Sequence, residues 1–348
     1  FFGLAAIKGV GEVAVQSILS ARQSGGKFKS LAELCERVDS RTVNRKVLEA
    51  LIKCGACDAF KQTRAAMFAQ IDQTLARAAS IAQDRLSGQG SLFGFADETP
   101  SPAAVAAESM PEWPQKDRLA AEKELLGFYV TGHPLKPYLP LIEKYALTNV
   151  RSLSQLPNRN MTRLAGVIAA VQNGVSKKTN KPYAMVTLED MEASVPMLFF
   201  NENYDKYRPL LVEGNVVLVI GEINQTDDKP KLFPQEMMLL EDAPRRFTTQ
   251  VHLRLRTTKL DRNQLEAVRS LVAAYPGKCP LFLCFIYPTG ETVFIETHDR
   301  FWVAPSRAFQ QAVEDKLGNE AYYAKVDQSL PERAARKWEP SNGNSTEG

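Results

Sequence analysis

The segment "TRLAGVIAAVQ" (162–172) decides the fold of the middle of the chain, because it predicts an extended apolar strand that begins a series of five. The other four strands are predicted in "YAMVTLED" (183–190), "ASVPMLFF" (193–200), "NVVLVIGEI" (215–223) and "KLFPQEMMLL" (231–240). A short helix, "NYDKYRPLL" (203–211), separates the third strand from the fourth. This order is typical of a five-stranded OB-fold β-barrel, which we assign to residues 161–243.

The first hairpin of this barrel, "NGVSKKTNKPY" (173–183), is rich in lysine. Its candidate binding residues are Lys177, Lys178, Lys181 and Tyr183. Lysines that neutralise phosphates next to an aromatic ring on which bases stack are how such barrels hold single-stranded nucleic acid. A solvated hairpin tip, where lysines are also common, is the alternative interpretation.

The N-terminal segment "LAAIKGVGEVAVQSILSAR" (4–22) predicts a helix, a tight glycine turn and a second helix. The glycines leave the first amides of the second helix open to a phosphate, which is the helix-hairpin-helix pattern for binding duplex DNA without reading bases. The candidate contacts are Lys8, Gly9, Val10 and Gly11. A glycine turn that only joins two packed helices is the alternative. Helical periodicity continues through several short helices, so we assign residues 1–86 to this domain.

Residues 87–115 are predicted to be a linker, since "SGQGSLFGFADETPSPAAVAAESMPEWP" (87–114) is rich in Gly, Pro, Ala and Ser. It nevertheless displays large apolar side chains at Leu92, Phe93 and Phe95. Residues 116–160 are predicted to form a helical connector whose first helix ends at Gly127. His133 follows in a turn, and we favour a hydrogen-bonded turn residue over a catalytic one.

Residues 244–330 have the predicted order strand, helix, strand, strand, helix, strand, which suggests a small ferredoxin-like α/β layer. Its first strand, "QVHLRLR" (250–256), alternates apolar residues with His252, Arg254 and Arg256, which we expect on the opposite side. Residues 331–348 are predicted to be disordered. The whole chain is therefore predicted to be a multidomain α+β protein.

Composition limits the function classes only weakly. The chain has 348 residues, 44% of them hydrophobic, and a formal net charge of +3. Such a small charge does not by itself indicate nucleic-acid binding. We expect a cytoplasmic protein with no membrane partner, because we find neither a membrane-length apolar run nor a secretory leader. Cys54 and Cys57 form a lone CxxC, which favours buried packing over a metal or redox site, and Asp227–Asp228 favours a turn over paired catalytic carboxylates.

Three motifs in order identify a family resemblance: "GLAAIKGVGEVAVQSILSAR" (3–22), "NRKVLEALIKCGACD" (44–58) and "AEKELLGFYVTGHPL" (121–135). With them, nearly the whole chain resembles the C-terminal region of the bacterial DNA polymerase III α subunit family. The resemblance implies that a catalytic region with two Mg²⁺ ions lies upstream. We therefore expect the chain, which begins without Met, to bind and organise DNA without a cofactor or catalytic residue of its own.

The resemblance also implies two protein partners. "QGSLF" (89–93) is similar to the family's sliding-clamp pentapeptide, with Leu92 and Phe93 entering an apolar cleft and Gln89 bonding at its rim. The alternative is that Leu92 and Phe93 pack locally on their own helices. Residues 247–330 would bind the τ subunit of the clamp loader, with Arg254 and Arg256 as candidates. A solvated strand face is the alternative for the two arginines.

Other function classes stay open. A translesion paralogue of the same family would share the early motifs but typically ends soon after the barrel. A tRNA-binding enzyme could pair an OB barrel with helices, but we find no GxxxxGK phosphate loop in the sequence. A non-catalytic OB-fold scaffold is the third alternative, and measuring whether the chain binds DNA at all separates it from the first two.

Overall fold

The computed structural model describes residues 3–87, 110–177, 179–225 and 229–332. The chain divides into two compact units, residues 1–134 and residues 135–348. The predicted connector is divided between them, because its first helix lies in the first unit and its second helix in the second unit. Within the described residues, no helix is both long enough and apolar enough to cross a bilayer.

The first unit is helical. Its helices are α1 (Glu12–Gly25), α2 (Leu31–Arg37), α3 (Arg45–Lys53), α4 (Arg64–Ala69), α5 (Ile71–Ser87) and α6 (Gln115–Leu126). The predicted helix before the glycine turn is, in the described residues, a single 3₁₀ turn at Leu4–Ala6. Side-chain oxygens of Ser30, Asn44 and Thr63 accept backbone N–H groups and so fix where α2, α3 and α4 begin.

These helices share one hydrophobic core, and their ends are fixed by polar contacts. Leu48, Ile52, Met67 and Ile71 are among its fully buried members. α6 ends at Gly127, which has φ +83° and donates its N–H to the Lys123 carbonyl at 2.9 Å. A buried ion pair between Arg64 and Glu122 joins α4 to α6.

The chain re-enters the described first unit at Met110 and is tied at once to the start of α4. The Thr63 hydroxyl donates to the Met110 carbonyl at 3.1 Å. One oxygen of Glu112 accepts the N–H of Arg64 at 2.9 Å, and the other accepts that of Ala65 at 3.2 Å. The Glu112 carboxylate therefore satisfies amides at the positive end of α4.

The second unit begins with α7 (Leu139–Tyr145) and continues into the barrel. The barrel strands are β1 (Met161–Val175), β2 (Pro182–Glu189), β3 (Ser194–Phe200), β4 (Val216–Asn224) and β5 (Lys231–Leu239). They close in the order β1-β2-β3-β5-β4, and α8 (Asn201–Tyr207) lies between β3 and β4. The predicted five-stranded OB-fold barrel is confirmed, because the five strands close on one another with the helix between the third and the fourth.

The C-terminal part of this unit is a second sheet backed by helices. Its elements are α9 (Ala243–Phe247), β6 (Thr248–Arg256), α10 (Arg262–Ala274), β7 (Pro276–Cys279), β8 (Leu281–Ile286), β9 (Thr292–Glu296), α11 (Arg307–Leu317) and β10 (Tyr322–Val326). The predicted order of strands and helices is present, with the short β7 as an addition that bridges to Val303.

The predicted ferredoxin-like layer is not confirmed. That layer is a split β-α-β arrangement, in which another strand lies between the first two. Here the sheet order is β10-β6-β8-β9, and β6 pairs directly with β8 in parallel, from Val251↔Leu281 to Arg256↔Ile286. β9 then pairs on the outside of β8, so it forms an edge of the sheet instead of its middle.

The barrel and the C-terminal sheet share a second, smaller core. Leu141, Tyr145, Leu218, Ile220 and Phe247 bury their side chains there. Arg163 of β1 is fully buried, lies over the Phe247 ring at 4.2 Å, and donates from Nη2 to the Asp327 carbonyl at 2.8 Å. The two β domains therefore form one continuous unit.

Candidate nucleic-acid interfaces

The glycine turn before α1 exposes its backbone to solvent. Gly9 has φ +88°, a conformation that L side chains rarely adopt, and a Cβ placed there would meet nothing within 4 Å. Gly11 is the extended N-cap of α1 and offers no side-chain cap. Ile7 and Val10 anchor the turn by burying their side chains in the core. Of the predicted contacts, Lys8, Gly9 and Gly11 are therefore exposed, and Val10 can offer only its backbone.

The electrostatics of this turn have two opposing parts. The first amides of α1 have no intrahelical acceptor, and the helix dipole makes this end positive. Glu12, exposed in the first turn, carries a negative charge beside the same amides. The turn can thus bind a phosphate through its backbone, although one carboxylate opposes the approach.

The outer face of strands β2 and β3 carries the apolar side chains of Tyr183, Met185 and Phe200, and Gly174 of β1 lies beside them. We call these four residues the barrel platform. Tyr183 is paired in register with Gly174 on one side and Phe200 on the other. The Tyr183 and Phe200 rings lie 5.9 Å apart at 32°, and Phe200 is 41% exposed. A Cβ on Gly174 would lie 2.7 Å from the Tyr183 ring, so only glycine lets the ring lie flat on β1.

The β1–β2 turn presents the predicted lysines beside this platform. Lys177 and Lys181 are exposed, whereas Lys178 lies outside the described residues. The turn is closed by backbone bonds from the Ser176 N–H to the Lys181 carbonyl at 2.9 Å and from the Asn180 N–H to the Ser176 carbonyl at 2.8 Å. The strand 2–3 face and the first loop are the surfaces with which OB folds bind oligonucleotides, and here both are basic or aromatic.

Phe200 and Met185 were not predicted as candidate site residues. The sequence "FF" at 199–200 could have indicated Phe200, because side chains alternate along a strand and one of two adjacent phenylalanines must face outward. Phe199 is fully buried and packs against Tyr207 at 6.2 Å, while Phe200 faces out. Met185 follows Tyr183 on the same face of β2 and is 40% exposed.

Other residues considered from the sequence have structural surroundings. The His133 ring meets Tyr129 edge-on at 5.3 Å. Cys54 and Cys57 are buried in the core of the first unit, and burial raises the pKa of both thiols, that of Cys57 to about 12. Among the residues that the structure describes, no three His, Cys, Asp or Glu side chains are grouped to hold a metal ion. The pentapeptide Gln89–Phe93 and the pair Asp227–Asp228 lie outside the described residues.

Two family models match the chain where the structure has the corresponding folds. Residues 1–67 match a helix-hairpin-helix motif. Residues 162–240 match an OB-fold nucleic acid binding domain, which coincides with the closed barrel.

Relatives are similar to the chain over most of its length. DNA polymerase III subunit alpha of Escherichia coli (strain K12) is 32% identical over 82% of the chain. The corresponding subunits of Pasteurella multocida (strain Pm70) and Vibrio cholerae serotype O1 are each 29% identical over 92% of it. The chain spans only a part of these relatives, 25% of the first and 28% of the other two.

Proposed function

We infer that this chain, which is homologous to the C-terminal region of DNA polymerase III subunit alpha, binds DNA and tethers a replicative polymerase without performing its chemistry. Nucleotidyl transfer by Mg²⁺-bound carboxylates is assigned to another part of such a subunit. The proposed role of this chain is to hold template, duplex and protein partners in place.

Single-stranded template is assigned to the barrel platform and its lysine turn. The observation that carries this assignment is the adjacent pair of Tyr183 and Phe200 on the outer face, next to exposed Lys177 and Lys181. Aromatic rings stack bases of any sequence, and lysines neutralise phosphates. Binding should therefore be strong for single strands and tolerant of sequence.

Fluorescence anisotropy with a labelled oligothymidylate tests this assignment. Y183A/F200A should weaken binding by about tenfold or more, because each stacked base is worth about 1 to 3 kcal/mol. This loss should persist at high salt, whereas the loss in K177Q/K181Q should shrink as salt rises. Tyr287→Ala, which removes an exposed aromatic ring from the C-terminal domain, is the matched control. Wild-type affinity in Y183A/F200A would refute the assignment.

Duplex DNA is assigned to the glycine turn at Lys8, Gly9 and Gly11. Backbone donors at a helix start contact phosphates and carry little sequence information. Duplex binding should therefore be nonspecific and steeply dependent on salt. Titration of labelled duplexes of two unrelated sequences against rising salt tests this, and unequal affinities for the two would contradict it.

Two protein partners complete the proposal. The pentapeptide with Gln89, Leu92 and Phe93 would bind the sliding clamp, and residues 247–330, with Arg254 and Arg256 as candidate contacts, would bind the clamp-loader τ subunit. Both assignments rest on family resemblance. L92A/F93A should abolish clamp binding while leaving thermal unfolding unchanged, with Phe95→Ala as the matched control. A fragment that lacks residues 247–330 and still captures τ would overturn the second assignment.

A further inference from the structure

The C-terminal sheet is covered by helices on one side only. Val251, Leu253 and Leu255 of β6 face α10 and α11 and bury their side chains with Leu271 and Phe309. The residues between them in sequence face the opposite side. We call that side the open sheet face, and its central members are His252, Arg254, Phe282, Phe294 and Tyr323.

An aromatic cluster is built on the open sheet face. The His252 ring stacks on Phe282 with centroids 4.9 Å apart at 13°. Tyr323 and Phe294 meet His252 edge-on at 5.6 Å and 6.1 Å. Tyr323 is 47% exposed and Phe294 is 61% exposed, so the two flanking rings present much of their area to water. Large apolar rings left in water on a built cluster indicate a surface that a partner covers.

The charges on this face favour an anionic partner. The Arg254 guanidinium lies over the Tyr323 ring at 5.2 Å. Lys325 is the next outward residue on β10, and Arg256 the next on β6, where it pairs with Glu320 at 3.1 Å. Burial, and then Lys325 and Arg254, lower the pKa of His252, so its ring stays neutral and suited to stacking. One acidic residue lies on the same face: Glu296 of β9 pairs in register with Phe282, which pairs with His252.

A cavity of about 360 Å³ lies at one end of the sheet, where Arg254, Arg256 and Gln264 line it together with Glu320, the ion-pair partner of Arg256. The Oε1 of Gln264 is buried there without a hydrogen-bond partner among the described residues. Arginines beside a free acceptor suit a ligand that carries both phosphate oxygens and amino groups, which nucleotides do.

We propose that the open sheet face is a second binding platform for single-stranded nucleic acid, with bases stacked on Tyr323 and Phe294 and phosphates held by Arg254 and Lys325. The Tyr323 and Phe294 rings lie on the two outermost strands of the four-stranded sheet, and the His252 ring lies between them. RRM sheets stack two or three bases on aromatic rings in the same general way, with helices behind the sheet. This platform does not depend on the barrel assignment, because it uses different strands. It takes Arg254 for phosphate, so the proposed τ contact would lie elsewhere in residues 247–330.

Photocrosslinking tests the platform directly in the full chain. An oligothymidylate of about eight nucleotides carrying 5-iodouracil, close to the site size of one OB fold, is irradiated with the protein and the crosslinked peptides are mapped. We expect crosslinks in residues 282–296 or 322–326 in addition to the barrel. F294A/Y323A should lose these crosslinks and keep those to the barrel. Tyr323→Phe, which retains the ring, should crosslink like wild type.

Reciprocal variants distinguish this platform from the barrel. Anisotropy titrations with the same oligonucleotide measure the affinity of each site. The affinity of the C-terminal site should fall by about tenfold or more in F294A/Y323A, and that of the barrel site by about as much in Y183A/F200A. If only Y183A/F200A loses binding and crosslinks map only to the barrel, the second platform is overturned and the proposed function stands. If F294A/Y323A binds oligonucleotide normally but loses capture of a protein partner or of a second copy, the face belongs to that partner and the proposal also fails.

Discussion

Arg64 Nη1 lies 2.9 Å from Glu122 Oε1, and both side chains are almost completely buried. The other edge of the Arg64 guanidinium meets Asp58 at 2.7 and 2.9 Å, and Nη1 also donates to the Lys53 carbonyl at 3.0 Å. The second oxygen of Glu122 accepts the N–H groups of Val130 and Thr131 at 2.7 and 2.9 Å. A buried ion pair is tolerated when its remaining donors and acceptors are satisfied, as they are here.

Glu122→Gln should destabilise the first unit by about 3 to 5 kcal/mol, because it leaves the buried guanidinium without one of its charged partners. Amide exchange at Val130 and Thr131 should accelerate, since both amides donate to the altered group. Urea unfolding combined with hydrogen exchange measures both effects. Glu124→Gln, an exposed change on the same helix, is the control. Equal stability of the two variants would show that the pair contributes nothing.

Stability of the first unit should fall at acidic pH. Burial raises the pKa of Glu122, but hydrogen bonds from Thr131, Val130 and Arg64 outweigh it, so the pKa lies below its ordinary value of 4.5. A carboxyl with a depressed folded pKa stabilises fully above the unfolded value and loses that contribution as pH falls through the folded value. The free energy of unfolding should therefore decline below about pH 4.5. In Glu122→Gln this decline should be shallower, and identical slopes would contradict the assignment.

Gly9→Ala and Gly11→Ala should separate stability from DNA binding. Gly9 has φ +88°, so an alanine there costs about 1 to 2 kcal/mol of backbone strain. Gly11 has φ −71° and ψ 156°, which alanine adopts readily, and the loss should be about 0.5 kcal/mol. Its added methyl group nevertheless obstructs a phosphate. Thermal unfolding should rank Gly9→Ala as the less stable, while duplex titration at low salt should show weakened binding in Gly11→Ala.

Glu12→Gln should strengthen duplex binding. The change removes a negative charge from the first turn of α1, where a charge of that kind is worth about 0.3 to 1 kcal/mol at low salt. Affinity should rise by about two- to fivefold, and the gain should shrink as salt screens the charge. Glu266→Gln on α10 removes another exposed carboxylate, from the second unit, and serves as the control. A duplex affinity that does not change in Glu12→Gln would place the phosphate elsewhere.

Arg163→Met should be close to neutral for stability. Burial lowers the pKa of Arg163, and its Nε and Nη1 have no hydrogen-bond partner among the described residues. Methionine of similar length would keep contact with Phe247 and remove the cost of desolvating those donors. Arg163→Ala should instead cost about 2 to 4 kcal/mol, because it opens a cavity between barrel and sheet. Calorimetric unfolding compares the two, and a larger loss in Arg163→Met would show that the guanidinium is required.

The barrel could be predicted because the sequence of each strand, taken alone, indicates an extended apolar segment. Apolar runs rich in β-branched residues marked the strands, and the helix at 201–207 broke the series where an OB fold requires it. The C-terminal sheet shows the limit of such local signals. The same β-α-β-β-α-β order is compatible with β9 lying inside or outside β8, and only the packing of complete strands selects the outer position.

Site residues could be predicted where the members of a site are close together in the sequence. The lysine turn and Tyr183 are adjacent in sequence, so their association could be predicted. Phe200 joins Tyr183 only through the register of β2 and β3, and the cluster around His252 gathers side chains from all four strands of its sheet. Contacts between distant segments leave no signal in a single sequence.

The attachment of the chain on both sides of the pentapeptide at 89–93 has a mechanical consequence. α5 ends at Ser87 and the chain is fastened again at Met110 and Glu112, both on the same helical unit. Any force applied at the pentapeptide would therefore reach the helical unit at two points, the end of α5 and the attachment at Met110 and Glu112. At the second point, Glu112 accepts the backbone N–H of Arg64 at the start of α4, and the Arg64 side chain is bonded to Glu122 in the interior of the unit. Force applied at the pentapeptide would therefore be shared between a helix end and the buried interior of the unit, so that no single surface hydrogen bond carries all of it.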